Sequence, residues 1–272
     1  MCDMFTTDIF KDIEPPSSKS YSLEGVKIPT NQDVYFLAKW HELFDRYCVA
    51  RIFARKTKEK CCGYWFNPVG EKYLNEVELM FQSYLYETAL IYYNIIVDLS
   101  WTLTYVSAEY AIYKFDSSGN IVNTENIHGV IPIDEAYNML RNIENNVSRP
   151  NSAGNPFEYI KKMSPEFTEA VNIIVEFWRK FCQSEIRSKY NYIKHKGMLT
   201  YEEINKYNNT RFFSININNV MCPSDIKDVQ KVTNLEESIN ELIKFDDEQL
   251  FPYIKKLINN LNNTIKPSPM IL

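Results

Sequence analysis

The stretch Thr88–Ala108, TALIYYNIIVDLSWTLTYVSA, decides the fold. Its apolar residues, among them Ile91, Tyr92, Ile95, Ile96, Val97, Leu99 and Trp101, are packed more densely than anywhere else in the chain. As a helix it is long enough to span a bilayer. Yet Asn94 and Asp98 lie at its centre, Glu87 and Glu109 flank it, and no Lys or Arg follows before Lys114. A central aspartate costs about 3 kcal/mol on insertion into a membrane. The stretch therefore reads as the buried central helix of a bundle, not as a membrane span. Asp98, if buried there, needs a partner. A Tyr or Trp donor is favoured over the basic residues near Arg187, because aromatic donors abound nearby.

Helical periodicity extends from this stretch in both directions. A pattern of over forty residues opens at Glu71 and closes near Phe115, which predicts a bend or two consecutive helices. Upstream, Val34, Leu37, Trp40, Leu43, Phe44 and Tyr47 recur at three- and four-residue steps from Asn31. That helix ends in the basic run Arg51 to Lys60, which suits a helix C-terminus. Residues 1–30, with Pro15-Pro16 and Pro29, read as an irregular arm. Downstream, Pro132 and Asp134 signal a helix through Ile143, and residues 149–156 a loop. Ser164-Pro165-Glu166 predicts a capped start for one long helix running to His195, closed by a left-handed Gly197. Thr200 to Tyr207 reads as a short helix capped by Thr200 with Glu203 three residues on. Arg211 to Val220 alternates Phe213, Ile215 and Ile217 against polar residues, the best strand signal present. A last helix spans Leu235 to about Asn262, broken or kinked at Pro252. Residues 266–272 form a tail.

The expected fold is therefore mostly α: a single helical domain over residues 31–265, with four to five main helices and a short β element near 211–220. Composition agrees. The chain has 272 residues, 45% hydrophobic and 24% charged, which excludes a disordered chain. Only 7 glycines argue against an all-β fold with its many tight turns. A net charge of -5 argues against coating nucleic acid by bulk charge, but not against a local basic site. The start of the chain carries no secretory signal, so its 6 cysteines are expected to be free thiols in the cytoplasm. Cys61-Cys62, with Cys48 and His41 upstream, match no common zinc module, so no metal or cofactor is expected.

Of the three histidines, His195 has the richest surroundings. It closes the segment from Glu185 to Gly197, EIRSKYNYIKHKG. At 100° per residue, Arg187, Asn191 and His195 fall within about 80° of one another, with Tyr190 and Lys194 beside them. An imidazole, whose ordinary pKa of about 6.5 suits proton transfer near neutral pH, thus shares a helix face with a guanidinium, an amide, an ammonium and a phenol. Arg and Lys can hold a phosphate and offset charge developing on it. Those groups suffice for metal-free phosphodiester cleavage. The competing reading is ordinary helix-ending chemistry, with cations in the last turn before a glycine.

Tyr190-Asn191-x-Ile193-Lys194-His195-x-Gly197, late on a helix of a helical protein, resembles the signature of the HEPN superfamily. The resemblance covers residues 70–265, and its specific part is under fifteen residues. It implies a helical bundle that dimerises and, in active members, cleaves RNA without metal through an Arg-x(4–6)-His motif. By resemblance His195 matches the family histidine and Asn191 the polar residue after the arginine. Arg187 and His195 would then be catalytic, and Tyr190, Asn191 and Lys194 would bind substrate. Such proteins recur in toxin–antitoxin and phage-defence systems, which implies RNA, a second copy of the chain and an antitoxin or defence partner as partners. The sequence departs from the motif: Tyr190 stands where the commonest spacing puts arginine, and seven residues lie between Arg187 and His195. An inactive HEPN-like module that binds RNA, nucleotide or protein also fits, as does a purely structural helical protein.

Overall fold

The computed structural model describes residues 31–60, 73–108, 114–115, 121–123, 156–207, 213–217, 220–224 and 231–264. These are mostly α-helical. Helix α1 is Asn31–Lys56, α2 Leu74–Ser107, α3 Pro156–Met163, α4 Thr168–Phe181, α5 Glu185–Lys196, α6 Glu202–Asn205, α7 Leu235–Phe245 and α8 Phe251–Thr264. A 3-10 turn at Pro165–Phe167 precedes α4, and a π turn at Asp246–Leu250 separates α7 from α8. The expected arm at 1–30, the helix near Pro132, the loop before Pro156, His128, Cys61-Cys62 and the tail lie outside the described residues.

Thr88–Ser107 falls within α2 with Ala108 directly after it, and thirteen described residues of Thr88–Ala108 are buried, including Leu90, Tyr93, Ile96, Val97, Trp101 and Leu103. No helix of the described residues is long and apolar enough to cross a membrane. The helix is a single element of 34 residues, so of the two expected forms the pair of consecutive helices is not found. Its buried polar residues explain how it tolerates them. Asn94 Nδ2 donates to the Leu90 carbonyl at 2.8 Å, Ser100 Oγ to Val97 at 2.6 Å and Thr104 Oγ1 to Ser100 at 3.1 Å. Each donor is satisfied by its own helix, so burial costs little. A carboxylate has no proton to donate in this way. Asp98 is accordingly exposed.

The described residues group into two compact units, each assembled from separate stretches of chain. The first draws on Met1–Asp45, Ile96–Lys180 and Leu250–Leu272. Its core is aromatic: Trp101 meets Trp178 edge-on at 5.0 Å, Tyr105 meets Phe157 at 4.8 Å, and Phe177 stacks on Tyr253 at 3.9 Å. Such pairs add about 0.5–1.5 kcal/mol each beyond their burial. The Tyr253 hydroxyl reaches Ser100 Oγ at 2.6 Å. Strands β1 (Lys114–Phe115) and β2 (Ile121–Asn123) pair antiparallel here.

The second unit draws on Arg46–Ile95 and Phe181–Gln249. Tyr47, Tyr86, Leu90, Tyr93, Leu242 and Phe245 are buried in it. Strands β4 (Phe213–Ile217) and β5 (Val220–Ser224) pair antiparallel, where the alternating stretch predicted a β element. Thr200–Tyr201 is not a helix start but strand β3, parallel to β6 (Val232–Thr233). The helix that follows has only four residues, and its Glu203 turns away from it. That carboxylate accepts the Leu235 N–H at 2.9 Å and so caps α7 instead, where free N–H groups and the positive helix end favour an anion.

The single helix expected from Ser164 to His195 is two. Cys182–Ser184 form a turn, and Ser184 starts α5 afresh by accepting the Arg187 N–H at 3.2 Å. Cys182 is exposed on that turn. Ser164 makes no side-chain cap, and its hydroxyl donates to the Ala108 carbonyl at 3.3 Å. Pro252 does mark a departure from α geometry, with the π turn directly before it. Proline has no N–H to close an α turn, and the wider turn takes up the mismatch.

Candidate functional site

Helix α5 carries every residue singled out by the sequence. Its end is set by Gly197, whose φ of 123° is open to glycine and strained for other residues, and whose N–H closes onto the Tyr192 carbonyl at 3.2 Å. The inward face of the helix is Ile186, Arg187 and Lys189, all buried. Asn191, Lys194, His195 and Lys196 are exposed, and Tyr190 is half-buried.

The expected stripe is therefore split. His195 lies about 180° around the helix from buried Ile186, whereas Arg187 lies only about 100° from it. Arg187 stands at the boundary of the buried face, and its long side chain turns inward, leaving it 8% exposed. It does not project into solvent with His195, as expected, and it is about 12 Å from His195 along the axis. Its Nη1 donates to Asn94 Oδ1 on α2 at 2.8 Å. The guanidinium carbon lies 5.1 Å from the Tyr190 ring centre and 5.7 Å from that of Phe181, both within cation–π range.

Asn94 is the residue that sequence reasoning placed at the centre of α2 without assigning it a task. Its amide orientation is fixed by use: Nδ2 is committed to Leu90, so Oδ1 faces the guanidinium. The signal that could have found it is an amide in the most apolar stretch of the chain. Lys189, one turn from Ile186, was also missed. Its Nζ donates to Glu241 Oε2 at 2.7 Å and to Ser238 Oγ at 3.1 Å. Tyr192 is tied by its hydroxyl, which accepts the Lys231 N–H at 3.0 Å.

A second ionic cluster of the same unit escaped the sequence altogether. Arg51 Nε donates to Asp246 Oδ2 at 2.6 Å and Nη2 to Asp247 Oδ1 at 2.9 Å, while the Tyr47 hydroxyl donates to Asp246 Oδ1 at 2.7 Å. Burial pushes the Asp246 carboxyl above its ordinary pKa, with the Arg51 charge pulling the other way. Glu87 is raised by burial too, although it accepts from the Tyr201 hydroxyl at 2.9 Å. No group of His, Cys, Asp and Glu among the described residues could hold a metal ion; His41 is exposed and Cys48 half-buried. No protein-family model, curated protein or solved structure matches the chain.

Proposed function

We propose that this chain is an HEPN-like module that binds RNA through the last two turns of α5 without cleaving it. The observation that carries the reading is the division of the helix. Asn191, Lys194, His195 and Lys196 are exposed together, while Arg187, the expected phosphate-stabilising group, is engaged inside with Asn94. The exposed residues supply charge-assisted donors for phosphate oxygens. The reading places the protein in the cytoplasm as a homodimer, within a toxin or phage-defence system. The test is binding of labelled RNA at increasing salt. Lys194→Glu is expected to weaken binding and flatten its salt dependence, since each lost phosphate contact lowers the slope by about one. Equal binding by wild type and Lys194→Glu, or none by either, would refute it.

A second reading, a metal-independent endoribonuclease, is favoured by the exposure of His195 beside Lys194 and Lys196. His195 would move the proton of the ribose 2′-hydroxyl or of the leaving oxygen, and the product would end in a 2′,3′-cyclic phosphate. It requires Arg187 to leave Asn94 or to act from a second copy of the chain. Cleavage that persists in EDTA and disappears in His195→Ala would establish it, and Tyr190→Arg, which restores the commoner spacing, would then retain or raise activity.

A further inference from the structure

Helix α2 presents two kinds of surface along its length. From Tyr86 onward it is well covered, whereas over residues 73–85 only Ser83 is buried. Among the described residues five large apolar side chains are exposed, Tyr73, Met80, Tyr84, Met198 and Tyr207, all of them in the second unit. Three of the five sit together at this end of α2. At 100° per residue, Val77, Met80, Tyr84 and Ile91 fall within about 60° of one another, and Tyr73, directly before the helix, continues the line. The stripe runs about 21 Å from Val77 to Ile91. Glu76 and Glu87 border it on one side, within about 20° of each other. Glu87 is fixed there, since its Oε1 accepts from the Tyr201 hydroxyl at 2.9 Å. Over its 34 residues α2 carries the acids Glu76, Glu78, Glu87 and Asp98 and no Lys, Arg or His.

We propose that this stripe docks an amphipathic helix of a protein partner whose polar face is basic. Tyr and Met are enriched where proteins meet, and a line of them at helical spacing accepts anchors placed three and four residues apart on the partner. The sign of the border selects among occupants. Lys or Arg beside the anchors meets Glu76 and Glu87, whereas RNA phosphates, or a second copy of α2, would bring negative charge against them. The inference is separate from the RNA-binding reading, which concerns the end of α5.

The probe is a fluorescein-labelled peptide of about 18 residues, long enough as a helix to cover the stripe. It has leucine at three- and four-residue steps and lysine elsewhere, and its control has glutamate in place of every lysine. Titrated with the full chain and followed by anisotropy, the lysine peptide is expected to bind more tightly than the glutamate peptide. Tyr84→Ser, at an exposed position, lowers that affinity about tenfold. Glu76→Lys weakens binding of the lysine peptide and strengthens that of the glutamate peptide. Glu176→Lys, at an exposed acid of α4, changes the net charge equally and leaves both affinities unchanged. If Glu176→Lys acts as Glu76→Lys does, bulk charge alone attracts the peptide and the proposal is wrong. It is equally wrong if the lysine peptide does not bind, or binds folded Tyr84→Ser as tightly as wild type. The two charge reversals keep the question answerable should Tyr84→Ser lose its helical circular dichroism. Sedimentation that shows self-association in wild type and none in Tyr84→Ser would give the stripe to a second copy and overturn the proposal. No readout involves RNA, so failure here leaves the RNA-binding reading untouched.

Discussion

Arg51 on α1 and Arg187 on α5 are both buried, at 5% and 8% exposure, and they are held by different chemistry. Arg51 faces the carboxylates of Asp246 and Asp247. Arg187 faces an amide and two aromatic rings. A carboxylate at 2.6 Å offsets a buried positive charge strongly in a medium less polar than water. An amide oxygen and ring faces bring partial charges to the guanidinium. Burial by itself therefore does not say how an arginine is held; the partner does. The π turn belongs to the first kind of arrangement, because it carries Asp246 and Asp247 to the side of α1 where Arg51 and Arg55 lie.

The largest expected effect is therefore at Asp246. Asp246→Ala strips the acceptor from Arg51 Nε and from the Tyr47 hydroxyl and leaves the buried guanidinium only the exposed Asp247; breaking a buried pair typically costs about 3–5 kcal/mol. Urea denaturation would measure it. Replacing both partners, Arg51→Met with Asp246→Leu, should restore most of the loss, because neither leaves an unpaired charge. If the single variant costs no more than the double one, the pair does not hold the fold and the contrast with Arg187 disappears.

Asn94→Leu should cost less, about 1.5–3 kcal/mol, the range for a hydrogen bond to a charged group. The side chains are close in size, so the change isolates the amide. A loss equal to that of Asp246→Ala would show that Arg187 is held as tightly as Arg51 and that the two sites are of one kind.

These partners mark where the sequence stopped being legible. Periodicity gave α1, α2 and α7 because apolar residues recur at three- and four-residue steps in each, and alternation gave the strand at Phe213–Ile217. It did not give the break at Cys182–Ser184. Helical spacing continues on either side of the turn, and Ser184 is one serine among many until its hydroxyl is seen to accept the Arg187 N–H. Nor did it give Glu203, whose spacing from Thr200 suits a capping box equally well while its carboxylate serves α7. At the site, exposure of Asn191, Lys194 and His195 followed from their angular place on the helix. The inward turn of Arg187 did not, since a long side chain at a face boundary goes where its partner is, and Asn94 lies 93 residues away. Asp98 and Asn94 looked interchangeable as polar intruders in α2 until the donor count was applied: only the amide can bond back to its own helix.

The break before α5 can itself be weighed. Ser184→Ala removes the side-chain acceptor for the Arg187 N–H and should cost about 1 kcal/mol. Ser184→Asp, which keeps an acceptor and adds a favourable charge at the positive end of the helix, should recover it. Thermal unfolding of the three proteins separates these outcomes. Loss in both variants would mean that the turn depends on the serine's donation to the Phe181 carbonyl at 2.7 Å instead.

A smaller effect should appear as a slope against pH. Burial raises the Glu87 pKa, against the opposing pulls of the Tyr201 hydroxyl and the Leu199 backbone. The native state then keeps this proton to a higher pH than the unfolded chain does. Within that window the unfolded chain binds fewer protons, so stability falls as pH rises. Glu87→Gln cannot titrate. As pH rises above the ordinary glutamate range, its unfolding free energy should decline less steeply than that of wild type. Parallel curves would show that Glu87 carries no burial penalty.

The smallest effect is expected at Asp98, one turn from Asn94. Asp98 is exposed, so its carboxylate keeps its hydration in the folded state. Asp98→Asn keeps the side chain's size and an oxygen at an exposed position, so it should change stability by no more than about 0.5 kcal/mol, as most surface substitutions do. The reciprocal change is the informative control. Asn94→Asp keeps an oxygen for Arg187 but removes the donor that bonds the Leu90 carbonyl. It trades a helix back-bond for a charge–charge contact, and its cost relative to Asn94→Leu measures how much of the Asn94 effect belongs to the guanidinium. If Asp98→Asn cost as much as either, the helix would have two polar contacts of equal weight, and the donor-count account of why Asn94 is buried and Asp98 exposed would fail.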